Sequence, residues 1–245
     1  MTATAPARVR LHVLGCFGLR CDDAPVPVAP AGQRLLAYLA VVRRPAARTG
    51  VATALWPDRT EVQAATNLRS ALRRLPRPAD VPLVEAGPTH LGLPSWIGVD
   101  LWDAQEVLGD AQGPAENGSV RLLREDLLPD WDPDWLDAEC AQHRQGRLHA
   151  LERLCRRHRL AGDHERAITA ALAAVGGEPL RETAQRELIE VYLAEGNHAE
   201  ALRQYQSHRR RLRDELGLAP SPAIRALVSP LLGRPVDAHR SVARA

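Results

Sequence analysis

The sequence predicts a mainly α protein with a small β part, in two domains. Three observations carry this. The run Val9-Arg10-Leu11-His12-Val13-Leu14 alternates apolar and polar residues, as a half-buried strand does. Between Gln33 and Leu75 the apolar residues switch to the spacing of one helical face. In the second half, Gly162-Asp163-His164-Glu165-Arg166-Ala167 recurs as Gly196-Asn197-His198-Ala199-Glu200-Ala201, a shift of 34 residues.

Taken in order, Arg8 to Cys21 reads as strands punctuated by Gly15 and Gly18, with a turn at Asp22-Asp23. Pro25 and Pro27 confine the following Val26-Pro27-Val28 to a sheet edge, because proline cannot donate to a ladder. Gln33 to Arg44 carries Leu35, Leu36, Leu39 and Val42 on one face, and Pro45 ends that helix. A short helix from about Arg48 to Leu55 stops at Trp56-Pro57.

The helix from about Glu61 to Leu75 is the most informative. Its apolar stripe reads Ala65, Leu68, Leu72 and Leu75. The opposite face then holds Gln63, Thr66, Ser70, Arg73 and Arg77, flanked by Asn67, Arg69 and Arg74, with Arg69 nearer the core face. No carboxylate interrupts that face. Amide, hydroxyl and guanidinium groups are the ones that meet base edges and phosphates in a major groove. Pro76 closes the helix, and Val81 to Leu93 reads as a hairpin turning at Ala86-Gly87-Pro88. Strands, helix, short helix, polar-faced helix and hairpin is the order of a winged helix-turn-helix, whose third helix enters the major groove while the wing meets backbone.

Charge agrees with that division. The net charge is +2, yet residues 1–98 hold 12 Arg against 6 acids, residues 99–140 hold 2 against 12, and residues 141–245 hold 18 against 12. A basic compact domain is the usual electrostatic footprint for nucleic acid. Every basic residue other than the nine His is Arg, since the chain has no Lys. That excess fits the composition of a GC-rich genome, so position rather than number has to carry any functional argument.

Beyond Val99 the period is helical. Trp102–Leu108 and Val120–Leu128 read as helices around a Gly/Pro/Asn-rich loop at Asp110–Ser119. Asp130 to Leu136 reads as a turn whose two Trp pack, and Ala138–Arg159 as a long Arg-rich helix. The 34-residue period is that of tetratricopeptide helix pairs, which bury their apolar faces by stacking. Arg209, Arg210, Arg211 and Arg213 read as a solvated face paired with Asp214 and Glu215.

These residues resemble a known family. Val9–Gly15, Gly32-Gln33-Arg34 with Leu35–Leu39, Leu55-Trp56-Pro57-Asp58, and Asn67–Leu75 are similar to the OmpR-type winged helix of SARP regulators, the Streptomyces antibiotic regulatory proteins. Glu178–Glu182, Gly196–Tyr205 and Leu212–Pro222 are similar to the closing segments of the bacterial transcriptional activator domain that follows it in that family. Pro76 and Thr89-His90-Leu91 depart from the family's pattern. The resulting expectation is an OmpR-type winged helix-turn-helix at 1–98, an all-α tetratricopeptide-like domain at 99–233, and a disordered tail at 234–245.

The resemblance implies a transcriptional activator that binds direct repeats in double-stranded promoter DNA as a homodimer. It also implies recruitment of RNA polymerase holoenzyme with its sigma factor, at a secondary-metabolite gene cluster. The expected DNA-binding residues are Gln63, Thr66, Asn67, Arg69, Ser70, Arg73, Arg74 and Arg77, with Arg48 and Thr89 on the backbone. Arg would read guanine and Asn adenine, while Ser and Thr would touch phosphate. Two other readings stay open: a tetratricopeptide scaffold that docks proteins, and a regulator responding to a small molecule.

Enzymatic chemistry is not expected. Without Lys neither a P-loop nor a Schiff base forms, no GxSxG occurs, and the four Cys lack CxxC or zinc-finger spacing. No cofactor and no metal are expected. The longest apolar run, Leu35–Val42, is too short for a membrane span, and Met1–Arg10 lacks the apolar core of a signal peptide. The expected location is the cytoplasm, at the nucleoid.

Overall fold

The structure, a computed structural model, describes residues 8–109 and 117–232. The expected tail at 234–245 and most of the expected loop at Asp110–Ser119 lie outside the described residues. The chain forms two compact units: residues 1–110 with 125–144, and residues 111–124 with 145–245.

In the first unit, strand β1 (Val9–His12) alternates as its sequence requires, with Val9 and Leu11 fully inward and Arg10 and His12 half-exposed. It pairs antiparallel with β2 (Gly18–Cys21), which pairs with β3 (Ala24–Pro25) at the sheet edge. Asp22 and Asp23 make the turn at positive φ, as short polar residues can. Helix α1 (Pro30–Val42) begins three residues earlier than its apolar spacing suggests, because Pro30 occupies the first turn, where its fixed φ suits a helix start.

After α1 comes a two-residue strand, β4 (Ala46–Ala47), then helices α2 (Arg48–Leu55) and α3 (Glu61–Arg73). A 3-10 turn at Pro78–Asp80 leads into the hairpin of β5 (Glu85–Ala86) and β6 (His90–Gly92). β6 is central in this wing sheet, flanked by β5 and β4. Strand β7 (Gly98–Val99) then runs parallel to β1 and leads directly into helix α4 (Asp100–Gly109). Asp100 is buried at that junction. Its carboxylate accepts from the backbone N–H of Val13 at 2.9 Å, Leu14 at 3.2 Å and Leu101 at 2.8 Å. Burial pushes this carboxyl above the usual aspartate range, and those N–H donors and His12 pull against it.

Residues 125–144 complete the unit. Leu127 bridges to Leu14. The two Trp of the expected turn each find an aromatic partner: Trp131 stacks on Phe17 at 6.0 Å, and Trp135 meets Tyr38 edge-on at 5.1 Å.

The second unit begins with helix α5 (Asn117–Arg124), which stops four residues short of the helix read from sequence. Helix α6 (Asp134–Leu160) starts right after Pro133, earlier than expected, and its first eleven residues belong to the first unit. Then follow α7 (His164–Gly177), α8 (Glu182–Ala194), α9 (His198–Leu216) and α10 (Pro222–Leu232). The 34-residue repeat is visible in the backbone. Gly162 at φ 76° precedes the Asp163 cap of α7, and Gly196 at φ 81° precedes the Asn197 cap of α9. Both caps accept from the N–H three residues on, at 3.2 and 3.4 Å.

Packing follows residue size. Ala167, Ala170, Ala171 and Ala174 line the buried side of α7, so neighbouring helices approach closely. Ile189, Ala201, Tyr205, Ile224 and Val228 form a core shared by α8, α9 and α10. Ion pairs stitch the helices: Arg181 Nε reaches Glu152 at 2.6 Å, Arg156 pairs with Glu187, and Arg159 with Glu190 at 2.7 Å. Arg211 and Arg213 pair with Glu215 and Asp214 on an exposed face, as expected. The architecture is mainly α with a small β part, a winged helix followed by tetratricopeptide-like helices.

Candidate nucleic-acid interface

The site is built on α3. Thr60 and Gln63 form a reciprocal capping box: the Gln63 N–H donates to Thr60 Oγ1 at 3.4 Å, and Gln63 Oε1 accepts from the Thr60 N–H at 3.3 Å. Gln63 is therefore partly committed to starting the helix, and its NH2 is the group left to meet a ligand.

The buried stripe of α3 is Ala64, Leu68 and Ala71, with Ala65, Leu72 and Leu75 half-buried. It is turned about 50° from the stripe expected from the leucines alone. The physical reason is size, since two alanines give α3 its close seat where leucines would hold it off. The rotation brings Arg69 out of the flank. Val62, Thr66, Arg69 and Arg73 now share one exposed line, within about 60° of arc and about 16 Å long.

The remaining predicted residues sort to either side of that line. Asn67, Ser70 and Arg74 border a cleft of about 270 Å³ with Pro30, Gly32 and Trp56, beside the start of α1. On the other side a groove of about 880 Å³ opens between α3 and the wing. Arg48, Arg69, Arg73 and Arg77 all border it, with Val84 and Ala86 across. Arg77 lies on the connection beyond the helix.

Two predicted residues hold the wing. Arg48 donates from Nε to the Gly87 carbonyl at 2.9 Å, and its backbone N–H donates to the Thr89 carbonyl at 2.9 Å. The Thr89 hydroxyl sits 2.9 Å from His90 Nδ1. Both residues therefore position the hairpin tip, and Arg48 also borders the groove between α3 and the wing.

Arginines on this face lack the carboxylate partners that many arginines of the helical unit have. Among the described residues no carboxylate pairs with Arg69, Arg73, Arg74 or Arg77. Arg156, Arg159, Arg181, Arg186, Arg203, Arg211 and Arg213 each face one within 4 Å. The residue that sequence reasoning missed is Val62, 74% exposed in the first turn of α3. Only the observed rotation of the helix identifies it.

Among the described residues no three His, Cys, Asp or Glu side chains gather as a metal site requires, and no helix is long and apolar enough to cross a membrane.

Comparison with known proteins bears on both units. Residues 99–232 match the family model described as bacterial transcriptional activator domain. Over 240 residues the chain is 30% identical to the regulatory protein AfsR of Streptomyces coelicolor, covering 91% of this chain and 24% of that protein. It is 29% identical over 265 residues to the transcriptional regulatory protein EmbR of Mycobacterium tuberculosis, covering 98% of this chain and 68% of EmbR. The chain thus spans about a quarter of AfsR and two thirds of EmbR. The solved structure of Mycobacterium tuberculosis EmbR in complex with a low affinity phosphopeptide shares the fold, with a TM-score of 0.65 at 24% identity over 94% of this chain and 67% of that one.

Proposed function

Because the chain belongs to the bacterial transcriptional activator domain family, as a SARP-type transcriptional regulator, we propose that it activates transcription by binding double-stranded promoter DNA through α3 and the wing. The observation that carries this is the set of arginines on and beside α3, exposed and without carboxylate partners. Such groups are what phosphates and guanine edges attract.

In this reading α3 lies in the major groove. Arg73 serves base edges, with Arg69 beside it. Asn67, Ser70 and Arg74 hold one backbone, and Arg48, Arg77 and Thr89 hold the other through the wing groove. Gln63 contributes its amide near the start of the helix. The division of labour falls near residue 98, with DNA held before it and partners after it. Binding to direct repeats as a homodimer, contact with RNA polymerase holoenzyme and its sigma factor, and control of a secondary-metabolite cluster in the cytoplasm complete the proposal. Nothing in it calls for catalysis or a cofactor.

The test is a mobility shift of the full chain on the promoters beside its own gene, titrated with salt. Neutralising phosphates makes log affinity fall linearly with log salt, by about 0.9 per contact. Arg73→Ala with Arg74→Ala should abolish binding at physiological salt while circular dichroism stays native. Retained binding by that variant overturns the assignment of α3. A response flat in salt overturns DNA binding and returns the chain to the scaffold reading.

A further inference from the structure

We propose that α3 recognises thymine through its 5-methyl group, with Val62 and the γ-methyl of Thr66 as the reading surface. This rests on the DNA-binding reading and adds a base and a mode of contact to it.

Val62 is an isopropyl group 74% in water. Folding gains nothing from it there, and a β-branched residue is a poor choice for an exposed helical position. It stands one turn from Thr66 on the same line as Arg69 and Arg73. The polar atoms beside it are already engaged. Thr66 Oγ1 donates to the Val62 carbonyl at 2.8 Å and accepts from Arg69 Nη2 at 3.2 Å. Arg69 Nε donates to the Ala65 carbonyl at 3.2 Å, which lays its guanidinium back along the helix. Along this line the first two turns therefore offer a ligand an apolar surface, and free cationic reach begins at Arg73.

The major groove carries one apolar feature of matching size, the thymine methyl, and hydrophobic side chains read it by contact. A protein partner fits this surface less well. A stable interface takes about 800 Å² from each side, which one valine and one methyl do not supply. The exposed line thus has two ends with different chemistry, an apolar end for thymine and a cationic end for guanine or phosphate. Arg69 forms the boundary between them.

The experiment uses the full chain. Duplexes are selected from a random pool, and each thymine of the selected duplex is replaced in turn by deoxyuridine, which removes only the methyl. Loss of one methyl contact should weaken binding about fourfold at one or two positions. Val62→Ala, which keeps the helix, should bind the unmodified duplex weaker by a similar factor. It should be indifferent to deoxyuridine at one of those positions and keep the wild-type salt slope. A selected duplex indifferent to every deoxyuridine overturns this proposal alone. So does a Val62→Ala chain that keeps the wild-type pattern of sensitivity. A pool that yields no enriched duplex overturns the DNA-binding reading, and this proposal with it.

Discussion

Arg48 ties the start of α2 to the tip of the wing, its Nε 2.9 Å from the carbonyl of Gly87. The same residue's N–H holds the carbonyl of Thr89. One arginine therefore fixes both sides of the hairpin turn against the helix that follows β4.

Arg48→Ala should loosen the wing. Loss of one part-buried hydrogen bond costs about 1 kcal/mol. A modest fall in melting temperature is expected, together with weaker DNA binding in the mobility shift. An unchanged affinity would show that the wing needs no such anchor.

Asp100→Ala should cost more. It strands three backbone N–H groups, of Val13, Leu14 and Leu101, in a buried junction. Each unpaired buried donor costs about 1–3 kcal/mol. Denaturant unfolding should report a loss of at least about 3 kcal/mol or complete loss of folding, far beyond that of Arg48→Ala.

Two buried histidines set a pH dependence in the helical unit. Burial holds His208 and His158 below the ordinary histidine value, against the pull of Glu182 and Asp163; Arg211 pushes His208 down further, as Arg157 and Arg166 do His158. The unfolded chain then takes up protons first as pH falls through about 6.5. Stability should be fully present above that pH and decline on acidification below it. Melting of the wild type at pH 7.5 and 5.5 should show the drop, and His208→Leu should reduce it. An identical drop in the variant would exclude His208 as a source.

The cysteines should separate by reactivity. Cys16 is exposed, whereas Cys155 is buried beside Glu187. Burial first, then the Glu187 charge, pushes the Cys155 thiol up to about 12. Alkylation at pH 8 should therefore label Cys16 in the folded protein and Cys155 only after unfolding. Mass spectrometry of the labelled peptides decides it.

Elements with a strong local signature were legible from the sequence. The alternation at Val9–His12, the helix stops at Pro45 and Trp56-Pro57, and the repeat at Gly162 and Gly196 all appear in the structure. What was not legible depends on partners distant in sequence. β4 and β7 have two residues each, too few to show a period. Leu127 continues a helical pattern, yet pairs with Leu14 as a bridge and leaves α5 to end at Arg124. In α3 the leucines mark the apolar side only approximately, because Ala64 and Ala71 set how closely it packs. That error hid Val62 and pushed Arg69 toward the core. The arginines themselves were legible, since no carboxylate interrupts the run that carries them.

The interleaving of the two units carries a kinetic consequence. Leu127, Trp131 and Trp135 complete the core begun by Leu14, Phe17 and Tyr38. The first unit therefore cannot close until the ribosome has delivered residues 125–144, after the segment 111–124 that belongs elsewhere. At about 5–20 residues per second, its sheet and wing wait several seconds with that core open. Contacts of such long sequence separation also fold slowly. The half that carries α3 and the wing thus matures later during synthesis than its place in the chain suggests.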